Sequence, residues 1–154
     1  MEALIEVQLA SGYGAEPTAE QVRHWAGAAL AALRDQDACL TVRTVDETEM
    51  TALNTRFRDR CGSTNVLSFP VEALPGVPQE AHPLGDIVIC PPVVEREATT
   101  QGKTLDDHFA HLVVHGVLHL HGHDHKSDAE AAVMEQLETE VLATLGVKDP
   151  YQPV

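Results

Sequence analysis

Seven of the nine histidines in this 154-residue chain fall between His108 and His125, in the run HFAHLVVHGVLHLHGHDH. Surface composition does not explain such a density. His108, His111, His115 and His119 are spaced by three, four and four residues, which places all four along one stripe of a helix. They cannot share one ion. His111 and His119 are eight residues apart, about 12 Å along a helix axis, whereas ligand nitrogens sit about 2.0 to 2.1 Å from zinc.

Two histidines one turn apart can ligate together if a third ligand comes from a segment that turns back toward them. His115 and His119, followed by Gly122 as the turn and then by His125, meet that condition in the pattern HxxxHxxGxxH. Three neutral imidazoles without a fourth ligand nearby in sequence match catalytic zinc, which keeps one position open for a water whose pKa falls to about 7. The expected cofactor is one Zn²⁺ per chain. Two other readings stay open on residue types alone: metal-free packing of the histidines, and a structural zinc completed by Cys61 or Cys90. His108 and His111 are read as helix-face or supporting residues, and His121 and His123, which bracket the turn glycine, as exposed. Asp124 either orients a ligand imidazole or is a solvated loop charge. Zinc peptidases share this spacing as HExxHxxGxxH, but the position of their glutamate base is Gly116 here.

The rest of the chain supplies the frame. Residues 3–9 alternate in strand period with Ala3, Ile5, Val7 and Leu9 on one face, and a capping box of Thr18 and Gln21 opens a helix with the stripe Val22, Trp25, Ala26, Ala29, Leu30 and Leu33. Further strands are expected at 39–45, 65–69 and 85–90. A helix over 47–57 turns Met50, Leu53 and Phe57 inward, and another runs from Pro91 to about residue 100. Thr104 and Ser127 start two more, ending at Gly122 and Gly146, while residues 71–84, with three prolines, form a loop. The order β-α-β-α-β-β-α-α-α has too few βαβ units for a doubly wound sheet. It predicts one α+β domain over residues 1–154: a mixed sheet of about four strands packed with helices, and the metal site on a buried His-rich helix and the turn after it.

A hydrophobic content of 44% and a charged content of 22% suit one soluble globular domain. No apolar run approaches the roughly 20 residues of a membrane helix, and the start lacks the basic and apolar regions of a signal peptide, so a cytoplasmic protein is expected. Cys39, Cys61 and Cys90, odd in number and irregular in spacing, read as reduced thiols.

With 24 acidic and 10 basic residues the net charge is −14, the wrong sign for a general nucleic-acid binder. The scarce positive charge is nevertheless concentrated at Arg56, Arg58 and Arg60. Thr64, Asn65 and Ser68 add neutral donors close by, so this turn could form a phosphate-binding lip, or equally a solvated helix end whose arginines suit the helix dipole. Asp86 is either a site carboxylate or a turn residue ahead of a strand.

HGVLHLHGHDH closely resembles the HGxLHLxGYDH signature of the YbeY family of metal-dependent endoribonucleases, and LNTRFRDRCGSTNVLSFP and LGDIVIC resemble two further stretches of that family in the same order. With VRTVDETEM the similarity covers most of residues 40–145. It implies a zinc-dependent endoribonuclease that prefers single strands and acts in ribosomal RNA processing, including maturation of the small-subunit 3′ end, and in ribosome quality control. It also implies His115, His119 and His125 as the metal ligands and Arg58, in an FR pair where the family has YR, as the catalytic arginine. Arg56, Arg60, Thr64 and Ser68 are the candidate substrate contacts on residue type, as the phosphate-binding lip described above. Partners would be ribosomal RNA and the ribosome or its small-subunit proteins, and no membrane. The chain departs from the pattern at Cys61, Gly62 and Ser63, where an acid, a lysine and a proline are usual, and at His123, where tyrosine is common. A metallohydrolase of another class, peptidase or small-molecule hydrolase, and a non-catalytic ribosome-associated zinc protein are the alternatives.

Overall fold

A computed structural model describes residues 4–35, 38–58, 62, 64–71, 82–123 and 127–151. The elements follow the expected order: β1 (Leu4–Leu9), α1 (Ala19–Ala32), β2 (Ala38–Thr44), α2 (Glu47–Arg58), β3 (Val66–Pro70), β4 (His82–Ile89), α3 (Pro91–Gln101), α4 (Leu105–Leu120) and α5 (Asp128–Thr144). The strands form one mixed sheet in the order β1-β2-β4-β3, with β1 and β4 parallel to β2, and β3 antiparallel to β4. β4 begins at His82, three residues earlier than the sequence suggests, because His82 and Pro83 already pair with Ala38 and Cys39.

Alternation along the strands sorts the side chains onto two faces. Leu40 and Val42 of β2 and Ile87 and Ile89 of β4 join Trp25, Leu30, Phe109, Val113, Val117 and Leu142 in the main core, under α1, α4 and α5. Leu67 and Val88 face the other way and meet Met50 of α2 in a smaller core with Val45, Cys90 and Val93. Cys90 therefore lies in the smaller core, and burial raises its thiol pKa. Phe57, expected inward, is 53% exposed. It packs edge-on to Phe69 of the edge strand β3, with 5.4 Å between ring centroids, and an edge strand offers a neighbour on one side only.

Local chemistry explains the helix starts. The Thr18 side chain accepts from Gln21 N at 3.2 Å while Gln21 Oε1 accepts from Thr18 N at 2.9 Å. Thr104 and Ser127 cap α4 and α5 in the same way, each accepting from the amide three residues on. Gly85 has φ +136°, and a Cβ there would lie 2.1 Å from the Phe69 carbonyl oxygen, so only glycine lets β3 and β4 close at this point.

Candidate metal centre

α4 is the most buried helix of the fold, and its four histidines follow one another at helical spacing along it. His108, 4% exposed, bonds Glu97 Oε1 through Nε2 at 3.0 Å, and the same oxygen accepts from Asn65 Nδ2 at 2.9 Å. Burial pushes this imidazole below its ordinary pKa although the Glu97 bond acts in the opposite sense. His108 is thus a core residue tying α4 to α3 and to the start of β3.

His111 and His115 both turn to α5, where Glu138 is fully buried. Glu138 Oε2 accepts from His111 Nε2 at 2.9 Å and from the Tyr151 hydroxyl, while Oε1 faces His115 Nδ1 within hydrogen-bond reach. Burial alone would raise this carboxyl, but the bonds from His111, His115 and Tyr151 outweigh it and hold its pKa at about 2. Burial and the Glu138 acceptor together raise the Tyr151 phenol well above its usual range, so Tyr151 donates.

One turn further on, His115 and His119 stand edge to face, with 4.6 Å between ring centroids and 74° between planes. The third sequence candidate, His125, lies outside the described residues, as does Asp124. Beyond α4, His121 and His123 are half-buried rather than exposed: His121 Nε2 pairs with Asp35 Oδ2 at 3.0 Å, tying this turn to the end of α1, and the His123 ring stacks on His121 with 6.5 Å between centroids.

Among the described residues, the group able to bring three ligand atoms within 4.8 Å of one another is His111, His115 and Glu138. The spacing of these atoms suits protons better than an ion. Two donors on a tetrahedral zinc, each about 2.0 to 2.1 Å from it, lie about 3.3 Å apart, whereas Glu138 sits at direct hydrogen-bond distance from both imidazoles. The facing imidazoles of His115 and His119 fit zinc by their chemistry, and a carboxylate on the far nitrogen of a ligating histidine is a common support for metal ligands.

The arginine turn ends α2. Arg58 Nη2 donates to the Ser68 carbonyl at 3.0 Å, and Arg56 lies 5.3 Å from the centre of the Phe57 ring. Thr64 and Ser68 are half-buried, and Ser68 shares with Val66 the sheet face that α4 covers. Arg60 and Cys61 lie outside the described residues. Asp86 sits inside β4, opposite Thr41 and Phe69, and alternates with Ile87, so it is neither a turn residue nor on the face of the histidines. Gly116, at the position of the peptidase base, is buried against Ile87 with no room for an acid.

Sequence reasoning missed Glu138 and Tyr151. A signal for Glu138 was present: it falls on the apolar stripe of α5 with Met134, Val141 and Leu142, where a lone acid must find a partner.

A family model described as Endoribonuclease YbeY matches residues 10–146. The chain is 53% identical over 150 residues to an Endoribonuclease YbeY of Alkalilimnicola ehrlichii, covering 96% of this chain and 90% of that protein. It is also 53% identical over 137 residues to one of Stenotrophomonas maltophilia, covering 88% and 84%. A solution structure of a Thermotoga maritima protein shares the fold, with a TM-score of 0.58 at 22% identity over 95% of this chain and 99% of that one. On these matches the chain belongs to the YbeY endoribonuclease family.

Proposed function

We propose that this chain is a zinc-dependent endoribonuclease of ribosomal RNA maturation, acting on single-stranded RNA with His115, His119 and His125 holding one Zn²⁺ and Arg58 serving the scissile phosphate. The observation that carries the reading is the facing pair His115 and His119, one turn apart on α4, in a chain that the endoribonuclease family model matches over residues 10–146. When bound, zinc supplies Lewis acidity and a water acidified to a pKa of about 7.

The chain's own groups do the positioning. The Ser68 bond fixes the Arg58 guanidinium beside β3, from where it neutralises charge on phosphoryl oxygens, and Arg56, Arg60, Thr64 and Ser68 offer further donors along the strand of RNA. A net charge of −14 gives weak long-range attraction to free RNA, which favours delivery by a basic small-subunit ribosomal partner. Small-subunit 3′-end maturation and ribosome quality control are what the family resemblance implies, and a cytoplasmic location is the expectation from the sequence. Among the described residues no helix is long and apolar enough to cross a membrane.

The test is cleavage of a ribosomal RNA precursor. Chelator and His115→Ala should each abolish cleavage, and zinc should restore it in the chelated wild type alone. Cleavage that persists in His115→Ala overturns the reading. A zinc-loaded protein that cuts peptides and leaves RNA intact would be a hydrolase of another class, and one that cuts nothing would be a non-catalytic zinc protein.

A further inference from the structure

Glu138 is fully buried and both of its oxygens are used, by donors from two other parts of the chain: His111 and His115 on α4, and Tyr151 in the turn after α5. An ionised carboxylate only accepts hydrogen bonds, so each partner donates. That requirement has a consequence for His115. The contact to Glu138 Oε1 is made through Nδ1, and an imidazole that donates through Nδ1 alone keeps its lone pair on Nε2.

We propose that Glu138 is the positioning residue of the metal centre, fixing His115 in the Nδ1–H tautomer and in one ring orientation so that Nε2 is the ligating atom, with His111 and Tyr151 holding the carboxylate in place. The inference rests on His115 being a zinc ligand. Three features set this arrangement apart from simple helix-to-helix adhesion. The carboxylate is shared between two imidazoles one turn apart, only one of which stands face to edge with His119. Tyr151 adds a third donor, and its own turn is pinned by Asp149 Oδ1, which accepts from Tyr151 N at 2.8 Å and from Thr139 Oγ1 at 3.4 Å. His111 keeps its bond to Glu138 although its other nitrogen, Nδ1, is buried without a partner among the described residues.

The experiment combines zinc transfer from the loaded full-length protein to a competing chelator with ¹⁵N imidazole spectra recorded once the ion has been removed. In the wild type His115 should be mainly the Nδ1–H tautomer. Glu138→Gln keeps the shape but can present an N–H to one imidazole; it should move His115 toward Nε2–H and weaken zinc binding about 10- to 100-fold, the range seen for supporting residues of metal ligands. A wild-type His115 mainly in the Nε2–H form overturns the proposal without any variant. So does a zinc affinity unchanged in folded Glu138→Gln. Should that variant not fold, Tyr151→Phe, which removes one donor at a 44% exposed residue, is expected to weaken zinc binding several-fold; an unchanged affinity counts against the network. Zinc binding that survives His119→Ala but is lost in His111→Ala would make Glu138 a direct ligand, overturning the positioning role. The underlying reading fails separately, if His115→Ala retains zinc like the wild type.

Discussion

Gly116 of α4 rests on Ile87 of β4 so closely that a Cβ on the glycine would lie 3.0 Å from both Cδ1 and Cγ2 of the isoleucine. Ile87 is fully buried in the main core. The contact sets how near α4 lies to the sheet, and it does so between His115 and the next turn, so the height of the histidine stripe above the sheet depends on it. Gly116→Ala gains about 1 kcal/mol of helix propensity and loses about 1 to 3 kcal/mol to overpacking, for a small net destabilisation. The sharper readout is coupling. Ile87→Ala removes every isoleucine atom in this contact, so in a double-mutant cycle followed by urea unfolding the pair should be more stable than the sum of the single effects by about 1 kcal/mol. Additive behaviour would show that the contact does not limit the approach.

Metal content follows from the facing pair His115 and His119. Purified protein should carry about one zinc per chain, and His115→Ala and His119→Ala should each lose most of it, because two remaining imidazoles bind far more weakly than three. Chelation should lower the thermal midpoint of the wild type and leave that of His115→Ala unchanged, since a ligand stabilises only the state that binds it. Zinc retained at wild-type level in both variants would rule these two residues out as ligands.

The element order and the mixed four-stranded sheet were legible in the sequence because the capping pairs Thr18–Gln21 and Ser127–Glu130 and the alternation of β1 are local signals; the structure keeps the caps and turns Ile5 and Val7 to the core, while Leu9 at the strand end is exposed. The start of β4 was not. Prolines between residues 71 and 84 argue for a loop, yet Pro83 tolerates a strand position where β4 joins β2 across an irregular register. The histidine stripe was visible from spacing alone, but its partners were not, since Glu138 is 23 residues from His115 and Tyr151 is 40 from His111. Period and propensity carry no information on which buried acid meets which imidazole; only the packing of α5 on α4 decides that.

Arg58 is held by a single described hydrogen bond to a backbone carbonyl, that of Ser68, so its replacement leaves the core untouched. Arg58→Ala should reduce RNA cleavage about 100-fold or more, the usual loss when one transition-state donor is removed, with zinc content unchanged. Lysine keeps the charge but not the planar fork, and Arg58→Lys should recover only part of the rate. Arg56, whose guanidinium lies over the Phe57 ring, should matter less: Arg56→Ala is expected to raise KM for RNA more than it lowers kcat. Equal losses in the two alanine variants would point to a general electrostatic effect of the turn instead of a specific role for Arg58.

The His108 imidazole gives the fold an acid sensitivity of its own. Burial lowers its pKa in the native state, against the bond to Glu97, while the unfolded chain has the ordinary value near 6.5. Below about pH 6.5 the unfolded state therefore binds more protons at this residue than the native state does, and stability falls as pH drops through that window toward the lowered native pKa. His108→Gln keeps a side chain able to donate to Glu97 Oε1 but cannot titrate. Measured on metal-free protein, so that zinc release does not enter, the urea midpoint of the wild type should fall more between pH 7 and pH 5 than that of His108→Gln. A steeper or equal loss in the variant would mean that His108 is not the group that titrates. The same substitution should leave zinc content at pH 7 unchanged, because His108 bonds Glu97 on α3 and stands two turns of α4 away from His115.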